Sequence, residues 1–200
     1  MKKLLSVLLV LTLCVAALAA VAEDASNYVP SKTTGDMTVI TVTAGNLPAG
    51  ASFAMTTKSA EDMTEAEQTV IATQLEKLKA AGSVEKYFAG AVDAEGKTVD
   101  LKKLVGSDKL NVYEFALVSA EGYKTEYGTV KMTMQFSTPY EKGSKVAVLV
   151  GILAKNGKDV TWTAFEGEVV DNNGSIETEL DPDTVEAIQN GTALLAIVSK

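Results

Sequence analysis

The chain has 200 residues and a formal net charge of −8, from 26 acidic and 18 basic residues. Every basic residue is a lysine, and the chain contains neither arginine nor histidine. Nucleic-acid binding relies on cationic patches and guanidinium groups, and binding to anionic membranes also needs positive charge, so this composition argues against both partners. Because the one cysteine is Cys14, no Ser-His-Asp or Cys-His catalysis and no ordinary zinc, copper or haem site is available after it.

Residues 1–22 are predicted to be a secretory signal peptide. Lys2 and Lys3 form a basic start, an apolar run follows, and the small residues that end at Ala22 form a cleavage site. We therefore expect residues 23–200 to be extracellular, with no membrane insertion after cleavage. Loss of the two lysines takes the formal net charge from −8 to −10.

Cys14 raises the alternative of a lipoprotein. This alternative is disfavoured, because Leu13 stands where lipid attachment requires a small residue, and the apolar stretch before Cys14 is short. With Cys14 in the signal peptide, no disulfide is available, and a hydrophobic core must hold the exported chain together.

Residues 37–118 are predicted to form a small α+β segment behind a polar linker at 23–36. Thr64 and Glu67 have the spacing of a capping box, and Gly82 is placed to end the helix that they begin. The predicted elements are strands at 37–44, 53–58 and 110–118, a helix at about 64–81 with the apolar stripe Val70, Ile71, Leu75 and Leu78, a short helix after Ser83 and a helical turn after Asp100.

Residues 119–200 are predicted to form an antiparallel β-sandwich of immunoglobulin-like size. Turn signals separate alternating strands at short spacing, as is typical of such domains. Predicted features include alternation at Val130, Met132, Met134 and Phe136, a buried central strand at 145–153, hairpin turns at 156–159 and 171–174, and a helix capped by Asp181 and ended by Gly191. The fold class expected for the whole chain is α+β. A single domain with residues 59–106 as a helical insertion remains the alternative layout.

The stretches "EYGTVKMTMQFSTPYEKGSKVAVLVGI", "VTWTAFEGEVVDNNGSIETEL" and "EAIQNGTALLAIVS" carry a resemblance to known proteins. The chain resembles an uncharacterised family of secreted proteins of anaerobic Gram-positive bacteria, most strongly from about residue 126 to 198. The resemblance implies a signal peptide, a small strand-and-helix segment and a C-terminal immunoglobulin-like β-sandwich. It implies no catalytic or binding residues.

Four aromatic residues are the candidate ligand-binding residues. Exposed together on a sheet face, Tyr123, Tyr127, Tyr140 and Trp162 would stack on sugar rings, as in carbohydrate-binding modules. Trp162 alternates with threonines and shares its face with Val160 and Ala164, however, which favours a core position.

Three other patterns are better explained by structure than by chemistry. "DNNGS" at 171–175 offers oxygen ligands but lacks the spacing of a calcium loop, so a turn is preferred. Ser83 and Lys86 match the S-x-x-K motif of penicillin-binding enzymes without its companion motifs, so a helix cap is preferred. Glu166 and Glu168 are the candidate pair for glycoside hydrolysis, and solvent-facing strand positions are preferred for them.

We therefore predict a secreted, non-catalytic protein that binds an extracellular protein or polysaccharide, with no cofactor, no metal and no catalytic residue. A carbohydrate-binding accessory module that uses exposed aromatic rings is the alternative. A carboxylate-dependent glycoside hydrolase is the third reading. Candidate surfaces are the connection at 119–128 and the turn at 137–144.

Overall fold

The computed structural model describes residues 38–58, 61–135 and 140–200, and the predicted signal peptide, the linker and Phe136 lie outside this part of the chain. The strands are β1 (Thr38–Ala44), β2 (Ala54–Thr57), β3 (Asn111–Glu121), β4 (Val130–Gln135), β5 (Lys145–Leu153), β6 (Val160–Val169), β7 (Ile176–Leu180) and β8 (Ala193–Ser199). The helices are α1 (Glu65–Ala81), α2 (Val84–Tyr87), α3 (Leu101–Val105) and α4 (Pro182–Asn190), and a 3-10 turn spans Thr125–Tyr127.

The described strands form one antiparallel sheet in the order β1-β4-β7-β6-β5-β8-β3-β2. Its two edge strands, β1 and β2, return to within 8 Å of each other between Cα atoms, so the sheet nearly closes into a barrel. Register shifts in β1 and β3 mark bulges, which increase local twist and help a sheet to curl. Of the predicted α+β fold with an antiparallel sandwich, the antiparallel, β-rich character is confirmed, with few helices beside the sheet. The described strands lie in one sheet where two packed sheets were expected.

The inner face of the curled sheet encloses one hydrophobic core. Alternation places every second residue of β4 inside, with Val130, Met132 and Met134 buried and Lys131 exposed, as the sequence pattern predicts. Helix α4 contributes Val185 and Ile188 to the same core. The other members include Val146, Val148, Val150, Phe165, Ile176, Leu180, Leu195 and Ile197.

The outer face of β3, β5, β6 and β8 carries a second core, which the helices cover. β5 and β8 are therefore buried on both faces, as the continuous apolar run at 145–153 predicts. Helices α1, α2 and α3 contribute Ile71, Leu78, Val84, Leu101 and Val105 to this core.

The sheet uses strands from both sides of the predicted boundary at residue 118. β1 pairs with β4, and β3 pairs with β8. The three helices α1 to α3 lie in sequence between β2 and β3, so they form a helical layer on the outside of a sheet whose strands come from both parts of the chain.

Candidate functional site

A cleft of about 420 Å³ lies on the outer face of the sheet, where α1, α2 and the start of β6 meet. We call it the Trp162 cleft. The lining comes from α1, from α2 and the turn after it, and from β6 and the residue before it. It consists of Gln74, Lys77, Ala81, Lys86, Tyr87, Gly90, Asp159, Val160, Thr161 and Trp162.

Local sequence signals set one wall of this cleft. The predicted capping box is present: Glu67 N donates to Thr64 Oγ1 over 3.3 Å, and Thr64 N donates to the Glu67 carboxylate over 2.8 Å. Gly82 ends α1 in the left-handed region with φ of 72°. Ser83, the next residue, caps α2 by accepting a hydrogen bond from Lys86 N over 3.2 Å. The chain therefore turns sharply between the two helices, and residues of both line the cleft beside β6.

Aromatic rings form the floor of the cleft. Trp162 is buried at 6% exposure, and its ring packs edge-on against Phe88 at 5.0 Å and against Tyr87 at 6.1 Å between centroids. Phe115 of β3 completes the cluster. Burial raises the pKa of Tyr87 far above its usual value, and a hydrogen bond with the Trp162 side chain opposes this rise only in part. The Tyr87 hydroxyl therefore stays protonated and can donate.

Gln74 is the unusual residue of the cleft, because a polar side chain occupies the buried stripe of α1. It is 1% exposed, and Tyr87 donates its hydroxyl to Gln74 Oε1 over 2.8 Å. The other half of the amide, Nε2, is buried and has no hydrogen-bond partner within the described ranges. Turning the amide over would leave Oε1 unpaired instead, since Tyr87 satisfies only one of its two polar atoms. An unmet buried donor of this kind costs about 1–3 kcal/mol.

Two lysines bring positive charge to the rim. Lys77 lies 3.8 Å from the Asp159 carboxylate and also donates to the main-chain oxygen of Lys158, which ties α1 to the turn before β6. Lys86 is exposed and forms no ion pair with any residue that the structure describes. The rim therefore carries a net positive charge on a protein whose overall charge is negative.

A short free edge of β6 forms another wall of the cleft. β7 pairs only with residues 167–169 of β6, and Val92 covers the middle of the exposed edge. Val92 N donates to Trp162 O over 3.0 Å, and Ala164 N donates to Val92 O over 2.8 Å. Backbone groups alternate in direction along a strand, so those of Val160 also point to this side, away from β5. No backbone partner for Val160 is seen there among the described residues.

The structure does not bring the four predicted aromatic residues together. Tyr123 and Tyr127 are both 4% exposed and belong to the inner core, where their rings pack edge-on at 5.9 Å, and Tyr140 packs against the same core. Trp162 lies in the outer core on the opposite face of the sheet, as its alternation predicts. Burial is the largest cause that raises the pKa of Tyr123, and the negative charge of the nearby Asp181 carboxylate raises this pKa further.

The turn at 171–175 and the pair Glu166 and Glu168 have the structural roles that the sequence analysis preferred for them. Asp171 accepts hydrogen bonds from Asn173 N at 2.9 Å and Ser175 N at 3.0 Å, which lowers the pKa of its carboxyl group and closes the predicted turn. Glu166 and Glu168 are exposed on β6. In the part of the chain that the structure describes, no group of three or more acidic, histidine or cysteine side chains is placed to hold a metal ion. No helix among the described residues is long and apolar enough to cross a membrane.

No protein-family model, curated protein or solved structure matches this chain. Sequence reasoning assigned no binding role to the residues that distinguish the Trp162 cleft: Gln74, Lys77, Lys86 and Asp159. One signal was present, because Gln74 stands three residues after Ile71 and four before Leu78, inside the apolar stripe of α1.

Proposed function

We propose that this protein is a secreted, non-catalytic binding protein and that it holds its ligand in the Trp162 cleft. The observation that carries the proposal is the buried, unpaired amide donor of Gln74 in the lining of the cleft. Buried polar groups normally have partners, and an exception calls for an explanation such as a bound group. A ligand acceptor that satisfies Gln74 supplies that explanation.

The shape and chemistry of the cleft support a binding role. Its volume of about 420 Å³ lies within the range of pockets that hold small molecules or short segments of larger ones. It combines an aromatic floor with a few polar groups, which is the usual composition of a specific binding site. Export is supported by the signal-peptide features of residues 1–22 and by the family resemblance.

The single tryptophan makes the proposal directly measurable. Because Trp162 lines the cleft, its fluorescence should report occupation without a label. We would titrate residues 23–200 with panels of peptides and of cell-wall and plant polysaccharides, and recover each ligand afterwards. The expected result is a saturable change of emission with one class of compound, which is recovered chemically unchanged.

A matched pair of variants locates the binding. Gly90→Leu adds bulk in the lining of the cleft, and the backbone tolerates the change because an added Cβ atom there meets nothing within 4 Å. Its neighbour Ala89 is exposed and does not line the cleft, so Ala89→Leu is the control. We expect Gly90→Leu to weaken binding about tenfold or more and Ala89→Leu to leave it unchanged. No saturable signal from any panel, an equal affinity in Gly90→Leu, or cleavage of the ligand would contradict the proposal.

A further inference from the structure

We infer that the ligand of the Trp162 cleft is an extended peptide segment that carries a carboxylate and adds to the free edge of β6 at Val160. This inference rests on the proposed function and specifies what the cleft binds. Three features of the lining lead to it: an unpaired strand edge, an uncompensated lysine and an unpaired amide donor.

The strand edge favours a peptide. Val160 lines the cleft and has both its N–H and its C=O directed away from β5. A peptide residue placed opposite Val160 can exchange two main-chain hydrogen bonds with it, which is how strand addition gives affinity in many peptide-binding domains. Val92 shows that this edge accepts an added segment, because it already bonds to Trp162 and Ala164 of β6 in an isolated parallel bridge.

The charges favour a carboxylate on that peptide. Lys77 is partly neutralised by Asp159 at 3.8 Å, whereas Lys86 has no acidic partner within the described part of the chain. A carboxylate in the cleft would compensate Lys86, and the unpaired Gln74 Nε2 would gain an acceptor from the same ligand. The Tyr87 hydroxyl already donates to Gln74, which holds the amide in place for this contact.

The competing occupant is an acidic sugar, which would use the same lysine and the same aromatic floor. The strand edge distinguishes the two ligands, because only a peptide backbone pairs with Val160 as a strand does. Amide hydrogen exchange at Val160 is therefore the decisive readout. We expect this amide to exchange at least tenfold more slowly with bound peptide and to be little affected by a sugar.

The experiment uses residues 23–200 and three probes: a blocked pentapeptide library X-X-Glu-X-X, its X-X-Gln-X-X counterpart and an oligogalacturonate. We expect binding from the glutamate library, at least fivefold weaker binding from the glutamine library, and slower exchange at Val160. Lys86→Gln should weaken the selected peptide about fivefold or more. Lys79→Gln is the matched control, because Lys79 is exposed on α1 outside the cleft.

The outcomes separate this inference from the proposed function. Binding that Gly90→Leu abolishes, but that prefers oligogalacturonate or leaves exchange at Val160 unchanged, would overturn the peptide inference and keep the cleft as the binding site. Equal affinity of the glutamate and glutamine libraries would overturn the inference that the peptide binds through a carboxylate. Equal affinity of Lys86→Gln and the parent protein would overturn it as well. Binding that Gly90→Leu does not affect, or no binding of any probe, would overturn both.

Discussion

Gly151 lies on β5 directly opposite Trp162 on β6, on the face that the helices cover. A Cβ atom at this position would stand 2.5 Å from Val160 Cγ1 and 2.6 Å from Trp162 Cζ3, closer than atoms can pack. The absence of a side chain at residue 151 therefore lets the tryptophan ring approach the backbone of β5 closely, and this ring is part of the lining of the cleft. One glycine thus sets the position of the ring on which the candidate site is built.

We expect Gly151→Ala to lower the free energy of unfolding by about 1–3 kcal/mol, because overpacking forces the ring and its neighbours to shift. Urea unfolding followed by circular dichroism measures the loss. Gly45→Ala is the control, since a Cβ atom there lies 3.9 Å from Thr129, an ordinary contact. Its effect should stay within about 0.5 kcal/mol. Equal stability of the two variants would show that the ring does not pack as closely as the structure indicates.

Among the elements, α1 has the most complete set of local signals. Its capping box, its terminating Gly82 and its boundaries agree with the sequence prediction. The Lys58 side chain and the Thr64 amide hold the pKa of the Glu67 carboxyl below its usual range, so this residue remains ionised and keeps the box closed at neutral pH. A helix with these local signals forms the first wall of the cleft.

We expect Thr64→Ala to destabilise the protein by about 1 kcal/mol, because it removes the hydroxyl that accepts from Glu67 N. Thr69→Ala is the matched change in the same helix, at an exposed position. It should be neutral or slightly stabilising, since alanine has the higher helix propensity. Chemical denaturation of both variants at neutral pH compares them. A loss in Thr69→Ala as large as that in Thr64→Ala would argue against a specific capping effect.

At the scale of the whole molecule, the sheet joins distant parts of the chain. β8, the last strand, lies between β5 and β3, and β4 lies between β1 and β7. The first three strands, β1 to β3, lie at both ends of this order, so the sheet is completed only by strands from both parts of the chain. The two hydrophobic cores lie on opposite faces of the shared strands, so loss of these strands exposes both cores.

We therefore expect residues 23–200 to unfold in one cooperative transition. Trp162 fluorescence reports the outer core, and far-ultraviolet circular dichroism reports the sheet, so their urea midpoints should coincide within error. Two separate midpoints, with one set of strands melting before the other, would show that the chain contains two independent folding units.

Local sequence alone determined much of the element pattern. The caps at Thr64, Ser83, Asp100 and Asp181 and the alternation in β4 depend on neighbours within a few residues, and the structure has them where the sequence predicts them. The burial of Trp162 also followed from its alternation. Composition excludes histidine chemistry from the chain and cysteine chemistry from every position after Cys14.

Only the tertiary structure decided how the sheet closes and which residues come together in the candidate site. Strand order depends on pairings between residues far apart in sequence, such as β3 with β8, which a local pattern does not encode. For the same reason the sequence pattern placed the tyrosines and Trp162 in one candidate ligand-binding group, although they lie on opposite faces of the sheet. The Trp162 cleft joins residues 74, 86 and 160 from three elements, and the missing partner of Gln74 becomes visible only when these elements are packed together.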